Sequence, residues 1–241
     1  MLVAPYTERP DLAARLDELE DVWPEFIHHA QLNRHWHRLR EDFSDFQLVL
    51  YDDESDTIMG RGHTIPFRRD GAWDELPDGV EGVFEQVFGP GGGAPTTLSA
   101  VAAVVDHRYQ GRGLSPLIIE GMRAVAVRYE LDALVAPVRP TLKARYPLTP
   151  IDRYAAWRRP DGELFDPWLR VHERLGAEIL GICPGSLLVE GTVAEWEEWT
   201  ELAFPDSGAY VVEDALVPVE IDRDADTGRY VEPNVWMRHP V

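Results

Sequence analysis

A single cysteine, Cys183, is all that the 241-residue chain carries, so no intrachain disulfide can form. It sits in the apolar stretch 179–189 with nothing nearby in sequence to lower its pKa, which suits a small core residue better than a nucleophile. Lysine is equally scarce: Lys143 is the only one. A phosphate site must therefore be built from guanidinium groups and backbone amides. Basic residues as a whole are outnumbered, 23 Lys and Arg against 43 Asp and Glu, for a formal net charge of −20. Such a surface repels nucleic-acid phosphates and anionic membranes, which argues against general binding to either. It keeps a chain soluble and tolerates a cationic small molecule. No stretch approaches the ~18 apolar residues of a membrane span. Residues 1–11 lack the basic-then-apolar order of a signal peptide, so a cytoplasmic location is expected. Internal repeats and low-complexity segments are also missing.

What remains is ordinary globular composition, 44% apolar and 27% charged, long enough for one domain with a sizeable core. Residues 1–45 read as helical: Asp11 caps a helix carrying Leu12, Leu16 and Leu19, Trp23-Pro24 breaks it, and a second helix carries Phe26, Ile27, Ala30, Trp36 and Leu39. Residues 46–51 and 57–67 form a hairpin around an acidic turn. An excursion rich in Gly, Pro and Asp spans 68–96, with a short amphipathic piece at 80–88 and a flexible link at 91–93. Residues 98–105 read as a strand buried on both faces, 116–129 as an amphipathic helix and 133–138 as another buried strand, an order that implies two parallel neighbours. A long ordered loop covers 139–165. Asp166-Pro167 starts a helix that stops at Gly176. A strand at 178–189, a capping box at Thr192-x-x-Glu195 and two strands near 210–220 and 229–237 complete the chain.

The most informative segment is Val105-Asp-His-Arg-Tyr-Gln-Gly-Arg-Gly-Leu-Ser-Pro116, which joins the buried strand to the amphipathic helix. Gly111 and Gly113 permit positive φ and close approach of a ligand. The N–H groups from Gly111 to Ser115 can converge on an anion at the helix N-terminus, with Arg112 adding charge, whereas Pro116 has no donor to give. A plain strand–helix turn capped by Ser115 would need the same glycines. The segment resembles the Q/R-x-x-G-x-G/A signature of the GNAT (N-acetyltransferase) superfamily, with Gln110, Gly113 and Ser115 on its fixed positions; Ser115 replaces the usual Gly or Ala. The likeness covers roughly 46–67 and 97–190. It implies an α/β fold with a mixed, splayed central sheet, helices on both faces, an added N-terminal helical segment and a C-terminal strand extension. One GNAT-like domain, 1–241, would comprise N-terminal helices (1–45), an acyl-CoA-binding core (46–190, with insertions at 68–96 and 139–165) and a C-terminal helix and strands (191–241).

The same resemblance implies acetyl-CoA or another acyl-CoA as co-substrate. Its pyrophosphate would lie on Gln110, Gly111, Arg112, Gly113, Leu114 and Ser115, and its pantetheine arm along Ala103, Val104 and Val105. The expected partner is a small-molecule amine acceptor, with a homodimer allowed. Such enzymes place a tyrosine proton donor four residues before a glycine; here that position holds His172, ahead of Gly176. An imidazolium of pKa ~6.5 could protonate a thiolate of pKa ~8.5, while a structural helix histidine is the plain alternative. Tyr146 and Tyr154 are further candidate donors. The carboxylate that many relatives carry on the central strand is missing, since Ser99 is the only polar side chain in 98–105. That gap leaves room for carrier-protein acyl transfer, decarboxylation of a malonyl thioester or a non-catalytic acyl-CoA-binding or sensing module. His28, His29, His35 and His37 lack the i, i+4 spacing of a helical zinc site, so no metal is expected. Trp23, Trp36, Trp73, Trp157 and Trp168 read as core or pocket walls. The locally basic stretch 139–159 is a solvated face or a phosphate or carboxylate contact. The three irregular regions (68–96, 139–165 and the C-terminal extension) are expected to enclose the acceptor.

Overall fold

A computed structural model describes residues 1–20, 23–90 and 93–241; Gly91 and Gly92 of the expected glycine link fall outside them. The N-terminal segment departs from the two expected helices. Strand β1 (Leu2–Pro5) comes first, then α1 (Pro10–Ala13), three-residue and five-residue 3-10 turns at Leu16–Glu18, Glu25–His29 and Gln31–His35, and α2 (Trp36–Asp42). The second expected helix is interrupted at Ala30, whose ψ of 144° is extended. There the Asn33 side chain donates to the carbonyl of Ile27 at 2.8 Å, replacing the backbone donor a continuous helix would supply. The apolar residues of this segment still turn inward, and Phe26, Ile27, Leu32 and Leu39 join the main core.

The hairpin forms as β2 (Gln47–Asp52) and β3 (Thr57–Phe67), and the amphipathic piece of the excursion as α3 (Gly79–Phe88). Then come β4 (Thr97–Val105), α4 (Ser115–Arg128) and β5 (Ala133–Val138). The 139–165 segment is ordered and contains α5 (Ile151–Ala155). Helix α6 (Pro167–Arg174) is capped as expected, with the Asp166 carboxylate accepting from the N–H groups of Trp168 and Leu169. After β6 (Glu178–Gly191), the Thr192–Glu195 capping box opens α7 (Val193–Thr200). The expected strand at 210–220 is instead two short ones, β7 (Gly208–Tyr210) and β8 (Val219–Asp222). Between them Asp214 adopts φ +61°, and Pro218 has no N–H to give a ladder. The last strand, β9 (Thr227–Pro240), is longer than expected.

These strands form one sheet in the order β1-β2-β3-β4-β5-β9-β8-β7, with β6 also pairing β9. The expected parallel neighbours β4 and β5 do meet, but their pairing is limited to Leu98 with Leu134 and Ser99 with Val135. Beyond that point β4 stays with β3 as far as Val105, and β5 stays with β9 as far as Val138. Each strand follows its own antiparallel partner and the sheet opens between them. Pro137 lies on the opened stretch of β5 and can donate to neither neighbour.

Helix α4 closes one face of the sheet, burying Ile118, Ile119, Met122, Val125 and Ala126 against Leu48, Leu50, Leu98 and Leu134. Two glycines of β3 set its distance. A Cβ on Gly62 would come within 2.7 Å of Ile118 Cγ2 and 2.8 Å of Met122 Cε. One on Gly60 would meet the Val104 carbonyl oxygen at 2.5 Å. The opposite face is covered by the N-terminal segment, α3 and α7, with Phe84, Trp196 and Tyr230 fully buried. Gly62→Val should therefore destabilise the fold by about 1–3 kcal/mol through overpacking, despite the better strand propensity of valine. Urea unfolding of the purified variant would show it as a lower midpoint with an unchanged slope.

Candidate active site

The opening between β4 and β5 is a cleft of about 790 Å³. Its upper rim is the loop that leads into α4. Asp106 anchors this loop: its buried carboxylate accepts from the Arg108 backbone N–H at 2.9 Å and from both Nε and Nη2 of Arg108 at 2.8 and 2.6 Å. Those hydrogen bonds hold the carboxyl down at about 2. Gln110 Nε2 donates to the Val105 carbonyl at 3.2 Å, which ties the loop to the end of β4. Gly111 and Gly113 then take φ values of +73° and +72°, and a Cβ on either would meet no atom within 4 Å. Among the described residues, no N–H from Gly111 to Ser115 has an intramolecular acceptor. The result is a row of free donors at the start of a 14-residue helix, beside open space that an anion would fill.

Of the residues expected to hold the co-substrate, Ala103, Val104, Val105, Gln110, Gly111, Gly113, Leu114 and Ser115 all line the cleft, and Arg112 does not. The exposed Arg112 guanidinium lies 5.2 Å from the Tyr109 ring at the mouth and donates from Nη2 to the Arg108 carbonyl at 3.4 Å. The far wall is α6, through Trp168, Val171 and His172. Past Ser99, the edge of β4 that faces this space has no strand partner. Its backbone N–H and C=O groups are thus available to an extended polar chain.

A second cavity of about 450 Å³ lies on the N-terminal side of the sheet. It shares Trp23, Val101, Ala102, Pro137 and Arg139 with the first, so the two meet across the splay. Its own walls include Ile27, Leu32, Trp36, Arg61, Glu232 and Asn234. Each of the three irregular regions expected to enclose the acceptor contributes to this cavity. The largest share comes from the N-terminal segment, with Val80 from the 68–96 excursion, Arg139 from the 139–165 segment and Glu232 and Asn234 from the C-terminal extension. Glu232 is the one carboxylate lining this cavity among the described residues. It is 2% exposed and accepts from Arg139 Nε at 2.9 Å, the Tyr230 hydroxyl at 2.8 Å and Asn234 Nδ2 at 3.2 Å. Sequence reading sought a carboxylate on β4 and missed this one on β9. The available signal is the Glu-Pro-Asn run 232–234 between the apolar residues Val231 and Val235.

The expected proton donors fare differently. His172 does line the cleft, but not as an imidazolium: burial pushes its pKa down to about 3, with the nearby His239 acting in the same direction. One ring nitrogen donates to the other across 2.8 Å between His172 Nδ1 and His239 Nε2, and Trp168 packs edge-on against His172 at 4.5 Å. Tyr154 lies outside the cleft, 1% exposed, with its hydroxyl donating to Asp166 Oδ2 at 2.8 Å; burial raises its pKa. Tyr146 packs on Tyr154, Trp157 and Phe165, also away from the cleft. Both tyrosines stiffen the 139–165 segment. Lys143 is fully buried as well, donating from Nζ to the carbonyls of Tyr146 and Leu216, and burial lowers its pKa to about 8. Cys183 is a core residue, its thiol pushed up to about 12 by burial. No cluster of three metal-ligating side chains occurs among the described residues, and no helix there is long and apolar enough to cross a membrane.

No protein-family model matches the chain. An arginine N-acetyltransferase of Aspergillus versicolor, avaD, is 30% identical to it over 268 aligned positions, which cover 97% of this chain and 91% of the relative. Among solved structures, the loading GNATL domain of CurA from Lyngbya majuscula aligns with 99% of this chain and 96% of its own at a TM-score of 0.62 and 18% identity. The GNAT-like decarboxylase GphF, in complex with isobutyryl-CoA, aligns over 100% of this chain and 99% of its own at a TM-score of 0.56 and 17% identity. At those identities the two structures report the fold alone.

Three buried histidines are held neutral, chiefly by burial: His63 and His172 at about 3 and His239 at about 4, against an ordinary 6.5. The unfolded chain takes up these protons below its ordinary pKa and the folded chain does not. The stabilisation is therefore complete above about pH 6.5 and declines as pH falls toward 4. Urea midpoints should drop steadily across that window, and His172→Phe should show a shallower decline than the parent chain.

Proposed function

Because the chain belongs to the GNAT superfamily of acyl-CoA-dependent acyltransferases, we propose that it is an N-acetyltransferase whose acceptor is a small amine of the arginine type. Transfer of an acyl group from CoA to an amine follows from that membership. The observation that carries the finer reading is the meeting of two cavities at Val101, Ala102, Pro137 and Arg139. One has free amide donors for a diphosphate, and the other has a carboxylate and aromatic walls for a cationic amine. The arginine N-acetyltransferase supports both the acetyl group and the acceptor class.

When bound, the acyl-CoA supplies an activated thioester carbonyl. The chain's own residues do the rest. The amides of 111–115 and the dipole of α4 hold the diphosphate. The unpaired edge of β4 orients the arm that leads to the splay, and its N–H groups offer hydrogen bonds to a carbonyl oxygen that gains charge. Glu232, held by Arg139, takes the proton that the amine must lose before it can attack. Trp23 and Trp36 give a cationic acceptor aromatic faces and exclude water. His172 is neutral at pH 7 and serves as a wall of the cleft. The departing sulfur takes up, through water, the proton that the attacking nitrogen sheds as the amide forms.

Acetyl-CoA and free CoA should both raise the melting temperature, by simple linkage. Gly113→Val should fold, because its Cβ enters open space, yet lose that rise; its left-handed backbone would cost about 1–2 kcal/mol. Thiol release over a panel of amines, with arginine included, tests the transfer itself. Silence across the panel despite CoA binding would overturn the transferase reading. Glu232→Gln should lower kcat by about 100-fold or more if it is the base, with the CoA-induced stabilisation retained.

A further inference from the structure

Arg61 is a half-buried arginine. It lies on β3 between Gly60 and Gly62, opposite Val104 of β4, and lines the second cavity. Arg139, the other arginine of that cavity, is neutralised by Glu232 and donates from Nη2 to the Asp214 carbonyl. Arg61 has no ion pair among the described residues, and its Nε is buried without a hydrogen-bond partner. The titratable groups that sense its charge are Tyr6 and His63. Neither is an anion: burial raises the phenol's pKa and keeps the imidazole neutral. Among the described residues, the cavity thus has two guanidinium groups against one carboxylate, inside a protein of net charge −20.

Arg61 is half-buried, and its guanidinium, unpaired within the described chain, can make charge-assisted hydrogen bonds to an entering anion that also satisfy the buried Nε. The rest of the wall is largely Trp, Ile, Leu and Val side chains, where such a bond is strengthened by the low dielectric. The volume suits a compact ligand, and diphosphate binding is already accounted for at the other cleft. We propose that Arg61 binds a free carboxylate on the acceptor, so that the preferred amine is an amino acid and not its decarboxylated counterpart. This rests on the second cavity being the acceptor site. Glu232 and Arg61 then recognise opposite charges of one zwitterionic ligand, the amine end held toward the splay and the acid end against β3.

The test uses the full chain with CoA present and measures binding by calorimetry, independently of turnover. Three pairs serve as probes: L-arginine and agmatine, L-ornithine and putrescine, L-lysine and cadaverine. In at least one pair the amino acid should bind tenfold or more tightly than the amine. Arg61→Gln should weaken the amino acid to the level of the amine and leave the amine's Kd unchanged, while Arg61→Lys should restore part of the difference. Stabilisation of each variant by CoA shows that it is folded. Equal binding within every pair, no binding of any probe, or equal weakening of both members by Arg61→Gln would overturn the proposal. A carboxylate-dependent difference without any acyl transfer would uphold the role of Arg61 and overturn the transferase reading.

Discussion

Everything about this molecule's working parts depends on how briefly β4 and β5 are joined. Two residue pairs, Leu98–Leu134 and Ser99–Val135, are all that connect them. Were the ladder to continue, backbone bonds would seal the middle of the sheet and no cavity would form there. The strands separate because each is committed to an antiparallel partner on its other side, β3 or β9. Pro137, which has no N–H, lies where the two strands part. The opened edge leaves backbone groups that need hydrogen-bond partners, and the cleft beside them is where a ligand can provide these.

The rigid parts of the fold keep that opening in register with the anion-binding loop. Helix α4 is seated against β3 at glycine distance, with Ile118 and Met122 over Gly62. Its N-terminus is fixed relative to the end of β4 by the same contact. Asp106 and Arg108 brace the loop from below, and the Gln110 side chain ties it to Val105. The amides are thus positioned before any ligand arrives, which spares the entropy of ordering them on binding. The 139–165 segment is stiffened in a similar way by Asp166, whose carboxylate also accepts from the Leu142 N–H and the Tyr154 hydroxyl.

Charge is distributed with the same economy. A chain with a large acidic excess leaves positive potential unpaired along its two cavities, in the amide row of 111–115 on the rim of the first and at the half-buried Arg61 guanidinium in the wall of the second. Elsewhere arginines are mostly paired with carboxylates at the surface, as in Arg174–Glu163 and Arg15–Glu18. Surface pairs of that kind contribute little to stability. Burial acts on the protonation states instead: His63, His172 and His239 are kept neutral by desolvation. A histidine that sequence spacing offers as an acid becomes, in its actual surroundings, a hydrogen-bonded wall.

By itself the sequence determined whatever depends on near neighbours along the chain. The β2–β3 hairpin, the glycine loop ahead of α4 and the caps at Asp166 and Thr192 all rest on interactions a few residues long, and each is legible in the order of residue types. The N-terminal segment reads as two helices because apolar periodicity survives in a chain of 3-10 turns, where the Ile27 carbonyl accepts from the Ala30 N–H and the Asn33 side chain. Only the tertiary structure decided the second cavity. Arg61 on β3, Arg139 after β5 and Glu232 on β9 come from three distant strands, and no spacing rule links them. Their neighbours in space fix which charges are paired, which ring stays neutral and which guanidinium is left without a partner, because desolvation and pairing act through space and not along the chain.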